Sequence, residues 1–245
     1  MKTIKLNNET KIAVVGDIHE HPQQFFEIIE KVKPSEKMVF VSVGDIYDKG
    51  FGRQAAEKII DCLIPYVNLE HAYVIKGNHE LKTITKSKNI DDKYIWWFKK
   101  QPLSLSFMFE NGYRLTVVHG GVTPKHTWED LEKNAEICYV RTVDENGKMI
   151  PLIWKEDKNG VKQLVAKKEG QLWHDVYDGR FGYVASGHNA QKDGVPKFYE
   201  YSCNLDSAVY SSGIFSCQIF GLNGKEELIQ ATGPAKNPVL VGMPG

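Results

Sequence analysis

Four short segments of the chain place aspartate, histidine or asparagine directly after an apolar run. They are Asp17-x-His19, Gly44-Asp45-x-x-Asp48, Gly77-Asn78-His79-Glu80 and His119-Gly120-Gly121, and a further histidine occurs in Gly187-His188-Asn189. Aspartate carboxylate, histidine imidazole and asparagine carbonyl groups are the ligand types that hold hard or borderline divalent cations. If six of these side chains converge, the sequence indicates a metal-dependent hydrolase.

The segments that carry these residues alternate between strand and helix patterns. Apolar, β-branched runs at residues 11–15, 38–43 and 72–75 predict strands, and helical spacing predicts helices after Pro22 and around residues 55–63. The first helix should end before Pro34. This βαβαβ order predicts a largely parallel sheet with its site beyond the carboxyl ends of the strands. Asp17, Asp45 and Asn78 all fall there, about 30 residues apart, as βαβ units require.

The remainder of the chain is assigned more coarsely. The aromatic stretch 90–108 predicts helices packed on the core, and 114–118 predicts a strand that delivers His119. The polar, Lys/Glu-rich stretch at about 125–170 contains the turn signals Asn146-Gly147 and Asn159-Gly160, which indicate a hairpin-bearing insertion near the site. Strands are predicted at 183–186, 200–205, 214–220 and 227–230, the last three as an antiparallel meander, followed by an extended Gly/Pro-rich tail at 234–245.

Bulk properties narrow the class further. A length of 245 residues favours one domain, 1–245, with a well-filled core, and the formal net charge of zero argues against strong nonspecific nucleic-acid binding. The four cysteines lack CxxC spacing, which favours free thiols in a reducing compartment. The amino terminus indicates neither a signal peptide nor a membrane span. We therefore expect a cytoplasmic protein without a membrane partner.

Taken in order, the motifs resemble the signature of the calcineurin-like metallophosphoesterases, the phosphoprotein phosphatase superfamily. The strings that carry the resemblance are Asp17-x-His19, Gly44-Asp45-x-x-Asp48-x-Gly50, Gly77-Asn78-His79-Glu80, His119-Gly120-Gly121 and Gly187-His188, which span residues 12–189. Each string alone is weak, but five in order at βαβ spacing are specific. The segment from Asn204 to Tyr210 is similar to the bacterial and phage branch, which includes diadenosine tetraphosphatase-like proteins, polynucleotide phosphatase modules of RNA-repair enzymes and small protein phosphatases.

The resemblance implies an α/β protein with a metallophosphoesterase-type four-layer β-sandwich flanked by helices. It also implies two divalent metal ions, with manganese favoured and iron, zinc, cobalt or nickel as alternatives. Asp17 and His19 would hold one metal, and Asn78, His119 and His188 the other, with Asp45 and a hydroxide as bridges. Two cations about 3.5–4 Å apart make the hydroxide a nucleophile for direct attack on phosphorus. His79 would protonate the leaving oxygen, oriented by Asp48.

Substrate phosphate also requires positive charge. The family usually has arginine where this chain has Lys49, and lysine supplies charge without a two-pronged fork. Arg53 could compensate from the start of its helix, and Arg141 resembles an arginine that follows the His-Gly-Gly segment in the polynucleotide and dinucleotide phosphatase branch. The predicted phosphate-binding residues are therefore Lys49, Arg53 and Arg141.

Three functions fit these residues. The first is hydrolysis of phosphomonoesters, with a phosphorylated small molecule, a nucleotide or polynucleotide end, or a phosphoprotein as substrate. The second is hydrolysis of dinucleoside polyphosphates such as diadenosine tetraphosphate on the same metals. The third, motivated by Lys49, is a metal-binding interaction protein with weakened catalysis.

Overall fold

The structure is a computed structural model that describes residues 2–86, 90–151, 153–156, 162–166 and 170–237. The strands are β1 (Thr3–Leu6), β2 (Lys11–Val15), β3 (Met38–Ser42), β4 (Ala72–Val74), β5 (Ser104–Phe109), β6 (Arg114–Val118), β7 (Thr142–Val143), β8 (Ile153–Glu156), β9 (Lys162–Ala166), β10 (Gln171–Leu172), β11 (Tyr183–Ser186), β12 (Lys197–Phe198), β13 (Ser202–Asn204), β14 (Ile214–Gly221) and β15 (Gly224–Thr232). The helices are α1 (Pro22–Val32), α2 (Arg53–Asn68), α3 (Asn78–Lys86), α4 (Asp92–Lys100), α5 (Trp128–Lys133), α6 (Trp173–Val176) and α7 (Val209–Ser212), and a 3₁₀ helix spans Ala135–Cys138. No helix in these ranges is long and apolar enough to cross a membrane.

The larger part of the predicted parallel sheet is present. β2, β3 and β4 pair in parallel, and β14 and β15 extend the sheet in antiparallel fashion, giving the order β15-β14-β2-β3-β4. Apart from Lys11 at the start of β2 and Ser42 at the end of β3, both strands are apolar, because both faces of these central strands are covered. The predicted parallel arrangement of the first three apolar runs is confirmed.

A second sheet packs face to face with the first. Its strand order is β1-β5-β6-β11-β13-β12, with β6, β11 and β13 parallel to one another. Inward-facing residues such as Val14 and Val41 from the first sheet and Phe107 and Val117 from the second form one buried cluster between the sheets. The carboxyl ends of β6 and β11 therefore deliver their loops to the same region as those of β2 and β3.

Helices cover the outer face of each sheet. α1, α2 and α4 pack on the five-stranded sheet through residues such as Phe25, Ile59 and Phe98. α5, the 3₁₀ helix and α6 cover the six-stranded sheet through Leu131, Ile137 and Trp173. This helix, sheet, sheet, helix order confirms the predicted four-layer α/β sandwich.

The helix boundaries follow local chemistry. α1 begins with Pro22, whose missing N–H would be unpaired in the first turn anyway, and it ends at Val32, before Pro34 as predicted. α2, predicted around residues 55–63, continues past Pro65 to Asn68. A proline in the last turn removes only one backbone hydrogen bond, and the Pro65 carbonyl still accepts from the N–H of Leu69.

The prediction of helices across 90–108 is wrong in its second half. α4 accounts for the aromatic cluster, but β5 begins at Ser104 and pairs antiparallel with β6. The two strands are joined by a turn in which Gly112 has a φ of +86°. The strand carries a short signal, the alternation of Ser104 and Ser106 with Leu105 and Phe107, but the aromatic cluster before it was extended through these residues as helix.

The predicted meander of three carboxyl-terminal strands is also wrong. Only β14 and β15 form an antiparallel hairpin, while β13 belongs to the other sheet, parallel to β11. The chain crosses between sheets in the segment after β13, where the Leu205 carbonyl lies directly against Gly16. Apolar patterning marks these strands but carries no information about which sheet each one joins.

In the polar stretch 125–170, β7 pairs antiparallel with β10, which follows the stretch, and the two strands form a small sheet of their own. Within the stretch, β8 and β9 pair antiparallel. Asn146-Gly147 forms a turn in which Gly147 donates its N–H to the Asp144 carbonyl (2.9 Å). The second turn signal, Asn159-Gly160, and residues 238–245 of the expected tail lie outside the described residues.

Candidate metal centre

Six predicted ligand residues are delivered by the loops that follow β2, β3, β4, β6 and β11. Several of these loops carry non-glycine residues with positive φ, namely His19 (42°), Asp45 (50°), Asp48 (73°), Lys49 (73°) and His188 (67°). Such backbone conformations are costly for residues with a Cβ and cluster at functional sites. The fold therefore sustains local strain where the candidate ligands lie.

Asp45 is the centre of the group. Its Oδ2 lies 3.3 Å from the His119 Nε2, 3.7 Å from the His79 Nε2 and 3.8 Å from the His19 Nε2. The side chains of His19, Asp45 and His119 are fully or almost fully buried. One buried carboxylate thus faces three imidazole nitrogens without forming a normal hydrogen bond to any of them.

Two groups of potential ligand atoms share this aspartate. One consists of His19, Asp45 and His79, and the other of Asp45, His119 and His188, with the atoms of each group within 4.8 Å of one another. Asp17 adjoins the first group, since its Oδ2 lies 3.6 Å from the His19 Nε2. Asn78 adjoins the second, because its Oδ1 lies 2.9 Å from the His119 Nε2. The structure therefore brings together all six residues predicted as metal ligands.

Glycines in the motifs make room for these carboxylates. A Cβ on Gly77 would lie 2.1 Å from the Asp45 Oδ1, and one on Gly187 would lie 2.0 Å from the Asp17 Oδ1. The carboxylates are also fixed by backbone donors: the N–H of His79 donates to the Asp45 Oδ1 (2.9 Å), and that of His188 to the Asp17 Oδ1 (3.0 Å). The glycine of each motif is thus required by close packing against a ligand of another motif.

The donor set fits cations, as its hydrogen bonds show. The His19 Nδ1 donates to the Asp48 carbonyl (2.9 Å), so its Nε2 presents a lone pair, and the Lys49 ammonium lies 3.2 Å from that nitrogen. The His119 Nδ1 donates to the Val43 carbonyl (2.9 Å) while its Nε2 faces Asp45 and Asn78 oxygens. A positive charge therefore lies among acceptors at both histidines: the Lys49 ammonium beside the His19 Nε2, and the imidazolium proton on the His119 Nε2. Divalent cations at these places would satisfy the same acceptors.

The pKa shifts of the buried histidines and carboxylates also indicate a site that could hold cations. Burial lowers the pKa of His119, but the charges of Asp45 and Asp17 outweigh it and raise the pKa to about 9. Burial and the neighbouring Asp206 raise the pKa of Asp17 well above its ordinary value. Burial and the Lys49 charge lower the pKa of His19 to about 3. Burial also raises the pKa of Asp45, but the charges of His119, His79 and His19 outweigh it and hold this pKa well below its ordinary value. Asp17 is thus short of counter-charge, a condition that a bound cation relieves.

The predicted acid and its partner form a pair at the edge of the centre. The His79 Nδ1 lies 3.0 Å from the Asp48 Oδ2, and the Lys82 ammonium donates to the same oxygen at 3.1 Å. The hydrogen bond from His79 holds the pKa of Asp48 well below its usual range, with Lys82 acting in the same direction. Asp48 is therefore an anion that can fix the His79 ring.

The three predicted phosphate-binding residues are placed differently. Lys49 lies within the centre, over the Tyr210 ring at 4.9 Å. The largely buried Arg141 donates to the Asn189 Oδ1 (2.7 Å) and lies 3.5 Å from the His188 Nδ1. Arg53 is exposed and pairs with Glu57 on α2 (2.5 Å), and in the described part of the chain no hydrogen bond or ion pair joins it to a ligand residue.

Two buried glutamates shape the ligand loops and were not assigned a role from the sequence. Glu80 accepts backbone N–H groups from Asp45 (2.7 Å), Ile46 (2.8 Å), Tyr47 (3.3 Å) and Gly77 (2.8 Å). Glu20 accepts those of Asp48 (3.0 Å), Gly50 (3.1 Å) and Gly52 (2.9 Å). The signal for both was available, because each immediately follows a histidine of a motif.

We expect Glu80→Gln to lower the free energy of unfolding by about 2–3 kcal/mol, because buried donors then lose an acceptor. Glutamine has one acceptor oxygen in place of two, and each Glu80 oxygen accepts two N–H groups. Urea unfolding measures the change. The matched control is Glu129→Gln, which removes the charge of a side chain that is 75% exposed on α5 and should leave the unfolding curve unchanged. Equal curves for both variants would contradict this role of Glu80.

Asp206 and Tyr210 also belong to the centre but were quoted only as part of the family segment. Asp206 is buried, accepts the N–H of Ala208 (2.9 Å), and its charge acts on Asp17. Tyr210 packs edge to face on His19, with ring centroids 5.4 Å apart. Both lie on the segment that crosses between the sheets, so their position depended on the topology that the sequence did not reveal.

A two-sheet sandwich whose strand ends carry two groups of histidine and carboxylate ligands around one shared aspartate is typical of metal-dependent hydrolases. The sequence profile of the calcineurin-like phosphoesterases matches residues 10–211. The chain therefore belongs to the calcineurin-like phosphoesterase family, which confirms the resemblance seen in its motifs.

Individual relatives share less than a third of their aligned residues with this chain. The serine/threonine-protein phosphatase 4 catalytic subunit of Saccharomyces cerevisiae is 28% identical over 163 residues, 62% of this chain and 51% of that protein. The serine/threonine-protein phosphatase PP2A-like PPG1 of Candida albicans is 23% identical over 218 residues, 80% of this chain and 50% of that protein. The chain thus spans about half the length of the curated relatives it matches.

Solved structures share the fold over most of the chain. One described as "a putative diadenosine tetraphosphatase" has a TM-score of 0.69 and 22% identity, covering 94% of this chain and 97% of its own. A protein serine/threonine phosphatase from Saccharomyces cerevisiae with similarity to human phosphatase PP5 has a TM-score of 0.54 and 16% identity, covering 99% and 85%. These similarities establish the common architecture.

Proposed function

We propose that this protein is a metal-dependent phosphoesterase that hydrolyses phosphomonoesters, of phosphoproteins or of nucleotides and polynucleotide ends. The supporting observation is the convergence on Asp45 of two ligand groups, with the His79–Asp48 pair beside them. Membership of the calcineurin-like phosphoesterase family supports a phosphate ester as the bond to be cleaved. The curated relatives named above are protein phosphatases, which makes phosphoprotein a substrate class to test.

Two divalent cations are the proposed cofactor, with manganese first and iron, zinc, cobalt or nickel as alternatives, since mixed oxygen and nitrogen ligation suits each of them. Asp17, His19 and Asp45 would hold one, and Asp45, Asn78, His119 and His188 the other. When bound, such cations supply Lewis acidity that activates water and neutralises phosphate charge. His79 is the alternative nitrogen ligand for the first cation, given its membership of that ligand group.

Bound metal should stabilise the fold because it compensates the buried carboxylates of the centre. We expect manganese at a free concentration of a hundred times its dissociation constant to raise the free energy of unfolding by about 2.7 kcal/mol over that of chelator-treated protein. Thermal melts with and without manganese, paired with metal analysis, measure this. Identical melts together with no retained metal would contradict the assignment of the centre.

The chain's own residues supply the rest of the proposed reaction. His79 would donate a proton to the leaving oxygen, and Asp48 would hold its ring in place through the 3.0 Å contact. Lys49 and Arg141 would offer positive charge to the phosphate oxygens, because both lie beside ligand histidines. Arg53 is proposed for the same role on sequence grounds, although its observed partner is Glu57.

The second candidate function is hydrolysis of the phosphoanhydride of dinucleoside polyphosphates, which would use the same residues. The reason to test it is the description of the structure that shares the fold at a TM-score of 0.69. The third candidate, an interaction protein with weakened catalysis, follows from lysine at position 49. It predicts that metal is bound without turnover.

The decisive experiment is chromatographic analysis of the products, together with an inorganic-phosphate assay, after manganese-loaded protein has been incubated with a panel of substrates. The panel consists of p-nitrophenyl phosphate, a phosphopeptide, a 5′-phosphorylated oligonucleotide, a 2′,3′-cyclic nucleotide and diadenosine tetraphosphate. Turnover of the monoesters supports the proposal, and exclusive cleavage of diadenosine tetraphosphate supports the second candidate. Bound metal with no turnover of any substrate under any divalent metal would refute both enzymatic functions.

We propose a cytoplasmic location because the four cysteines are free thiols. Cys62, Cys138, Cys203 and Cys217 are all free, and three of them are buried. Burial raises the pKa of the Cys203 thiol to about 12, which keeps it unreactive at neutral pH. Unpaired thiols are typical of a reducing compartment.

A further inference from the structure

Three aromatic rings form a stacked column beside the metal centre. Trp173 and His174 stack with centroids 3.8 Å apart, and His174 and Tyr199 stack at 4.2 Å with an interplanar angle of 5°. Trp173 is completely buried and His174 almost so. Burial lowers the pKa of His174 to about 3, so its ring is neutral at physiological pH. The column is therefore an uncharged stack that runs from the core to Tyr199.

Tyr199 is the last of the three rings and lines a cavity of about 520 Å³. This volume is in the range of small-molecule binding sites. One face of the Tyr199 ring is covered by His174, and the ring is half-buried overall, so its remaining surface is available to the cavity. Leu172 adds an apolar wall from β10, at the base of the polar insertion.

The cavity adjoins the metal centre through shared walls. Arg141, Asn189 and Tyr210 line it. The same Arg141 lies 3.5 Å from the His188 Nδ1, and Tyr210 packs on His19. A substrate whose phosphate lies at the metal centre would therefore place its leaving group in or next to this cavity.

The charge of the lining favours an anionic occupant. Arg141 and Lys197 are the charged residues of the described lining, and both are cationic. Lys197 pairs with Asp193 (2.9 Å) in an exposed ion pair, which solvent screens and which contributes little. The cavity thus combines a flat aromatic surface with positive charge.

We propose that the substrate is a nucleotide and that this cavity binds its nucleoside part, which is the leaving group, with the base stacked on Tyr199 and the sugar and phosphate facing Arg141 and Lys197. The proposal deepens the phosphoesterase function and rests on it. Every nucleobase has a planar face, and stacking on aromatic side chains is a general mode of nucleotide binding. Phosphoserine and phosphothreonine carry no ring next to the phosphate, so a phosphopeptide would leave the end of the column unused.

The test compares AMP with ribose 5-phosphate, which carries the same phosphate and sugar without the base. Isothermal titration calorimetry on metal-free protein should show AMP binding at least about tenfold tighter than ribose 5-phosphate. Tyr199→Leu should reduce this ratio about tenfold, whereas Tyr199→Phe, which keeps the ring, should preserve it. The matched control is Tyr201→Leu, which removes an exposed tyrosine that does not line the cavity.

Thermal melts establish that each variant is folded. If Tyr199→Leu does not fold, Ala190→Met, which narrows the cavity from another wall, should lower the same ratio. Equal binding of both ligands by the unchanged protein, or an unchanged ratio in folded Tyr199→Leu or Ala190→Met, would overturn the proposal.

Phosphate release from the same two compounds by manganese-loaded protein separates this proposal from the function it rests on. Base-selective binding without release from either compound would contradict the phosphoesterase function while leaving the nucleotide site in place. Release from both at a ratio that Tyr199→Leu does not change would overturn the nucleotide site alone. Much faster phosphate release from a phosphopeptide than from AMP, with a ratio that Tyr199→Leu does not alter, would also overturn the nucleotide site alone.

Discussion

Asp45→Asn is expected to lower turnover of any substrate by about a thousandfold or more and to remove bound metal. The Asp45 Oδ2 faces three histidine nitrogens at 3.3–3.8 Å and is shared by both ligand groups. Asparagine preserves the shape but removes the one negative charge that both cations would share. Lewis-acid stabilisation of the transition state is worth several kcal/mol, and each 1.36 kcal/mol is a factor of ten in rate.

Metal content and rate should be measured on the same preparation. We expect Asp45→Asn to retain fewer metal ions than the unchanged protein after gel filtration, and to lose the stabilisation by manganese described above. Asp61→Asn is the matched control, because Asp61 is a half-exposed aspartate on α2 and lies outside both ligand groups. Full metal content and full turnover in Asp45→Asn would contradict a bridging role.

The residues proposed as metal ligands could be found in the sequence because their positions follow from a local pattern. Each ligand stands just after an apolar run, and parallel strands bring their carboxyl ends together, so Asp17 and Asp45 were placed correctly side by side. His119 and His188 follow β6 and β11 of the second sheet. That both sheets present their strand ends to one region followed from the family resemblance and not from the apolar runs themselves.

The residues that hold the ligands in place were harder to predict. The partners of Glu80 include the backbone of Asp45, which lies in another motif, and backbone donors leave no trace in sequence. Asp206 reaches the centre only because the chain crosses between sheets after β13, and the incorrect meander concealed that crossing. Arg53 was predicted to bind phosphate because it is an arginine close to a motif. In the structure it lies on an exposed part of α2 and forms an ion pair with Glu57.

The same limit explains the two errors of secondary structure. Periodicity distinguishes a strand from a helix, but in β5 the alternation of serine with apolar residues covers only Ser104–Phe107, too few positions to separate it from the aromatic stretch before it. β13 was recognised as a strand, yet its neighbours are set by the packing of the whole sandwich. Element type was thus readable where the pattern extended over a whole segment, as in β2 and β3, whereas sheet membership depended on nonlocal contacts.

His79→Ala should lower turnover of substrates with poor leaving groups by about a hundredfold to ten-thousandfold, the range expected for loss of a general acid. The His79 ring is held by Asp48 at 3.0 Å and is only 12% exposed, at the edge of the buried centre. Its Nε2 also lies 3.7 Å from the Asp45 Oδ2, so two roles are open to it, proton donor or metal ligand.

Leaving-group dependence distinguishes these roles. Without its acid, the enzyme must expel an unprotonated oxygen, so His79→Ala should be far more impaired with phenyl phosphate than with p-nitrophenyl phosphate, whose leaving group needs little protonation. Asp48→Asn should show the same selective defect to a smaller degree, because the ring remains but loses its anionic partner. His71→Ala, a change of a histidine outside both ligand groups, is the control.

Metal analysis completes the experiment. If His79 acts as the acid, His79→Ala retains the metal content of the unchanged protein, and the two substrates differ strongly in their loss of rate. If His79 is a ligand, metal content falls and both substrates lose rate together, because the nucleophile rather than the leaving group is affected. If His79→Ala retains its metal and hydrolyses both substrates as fast as the unchanged protein, both roles are contradicted. The 3.0 Å contact between His79 and Asp48 would then be only structural.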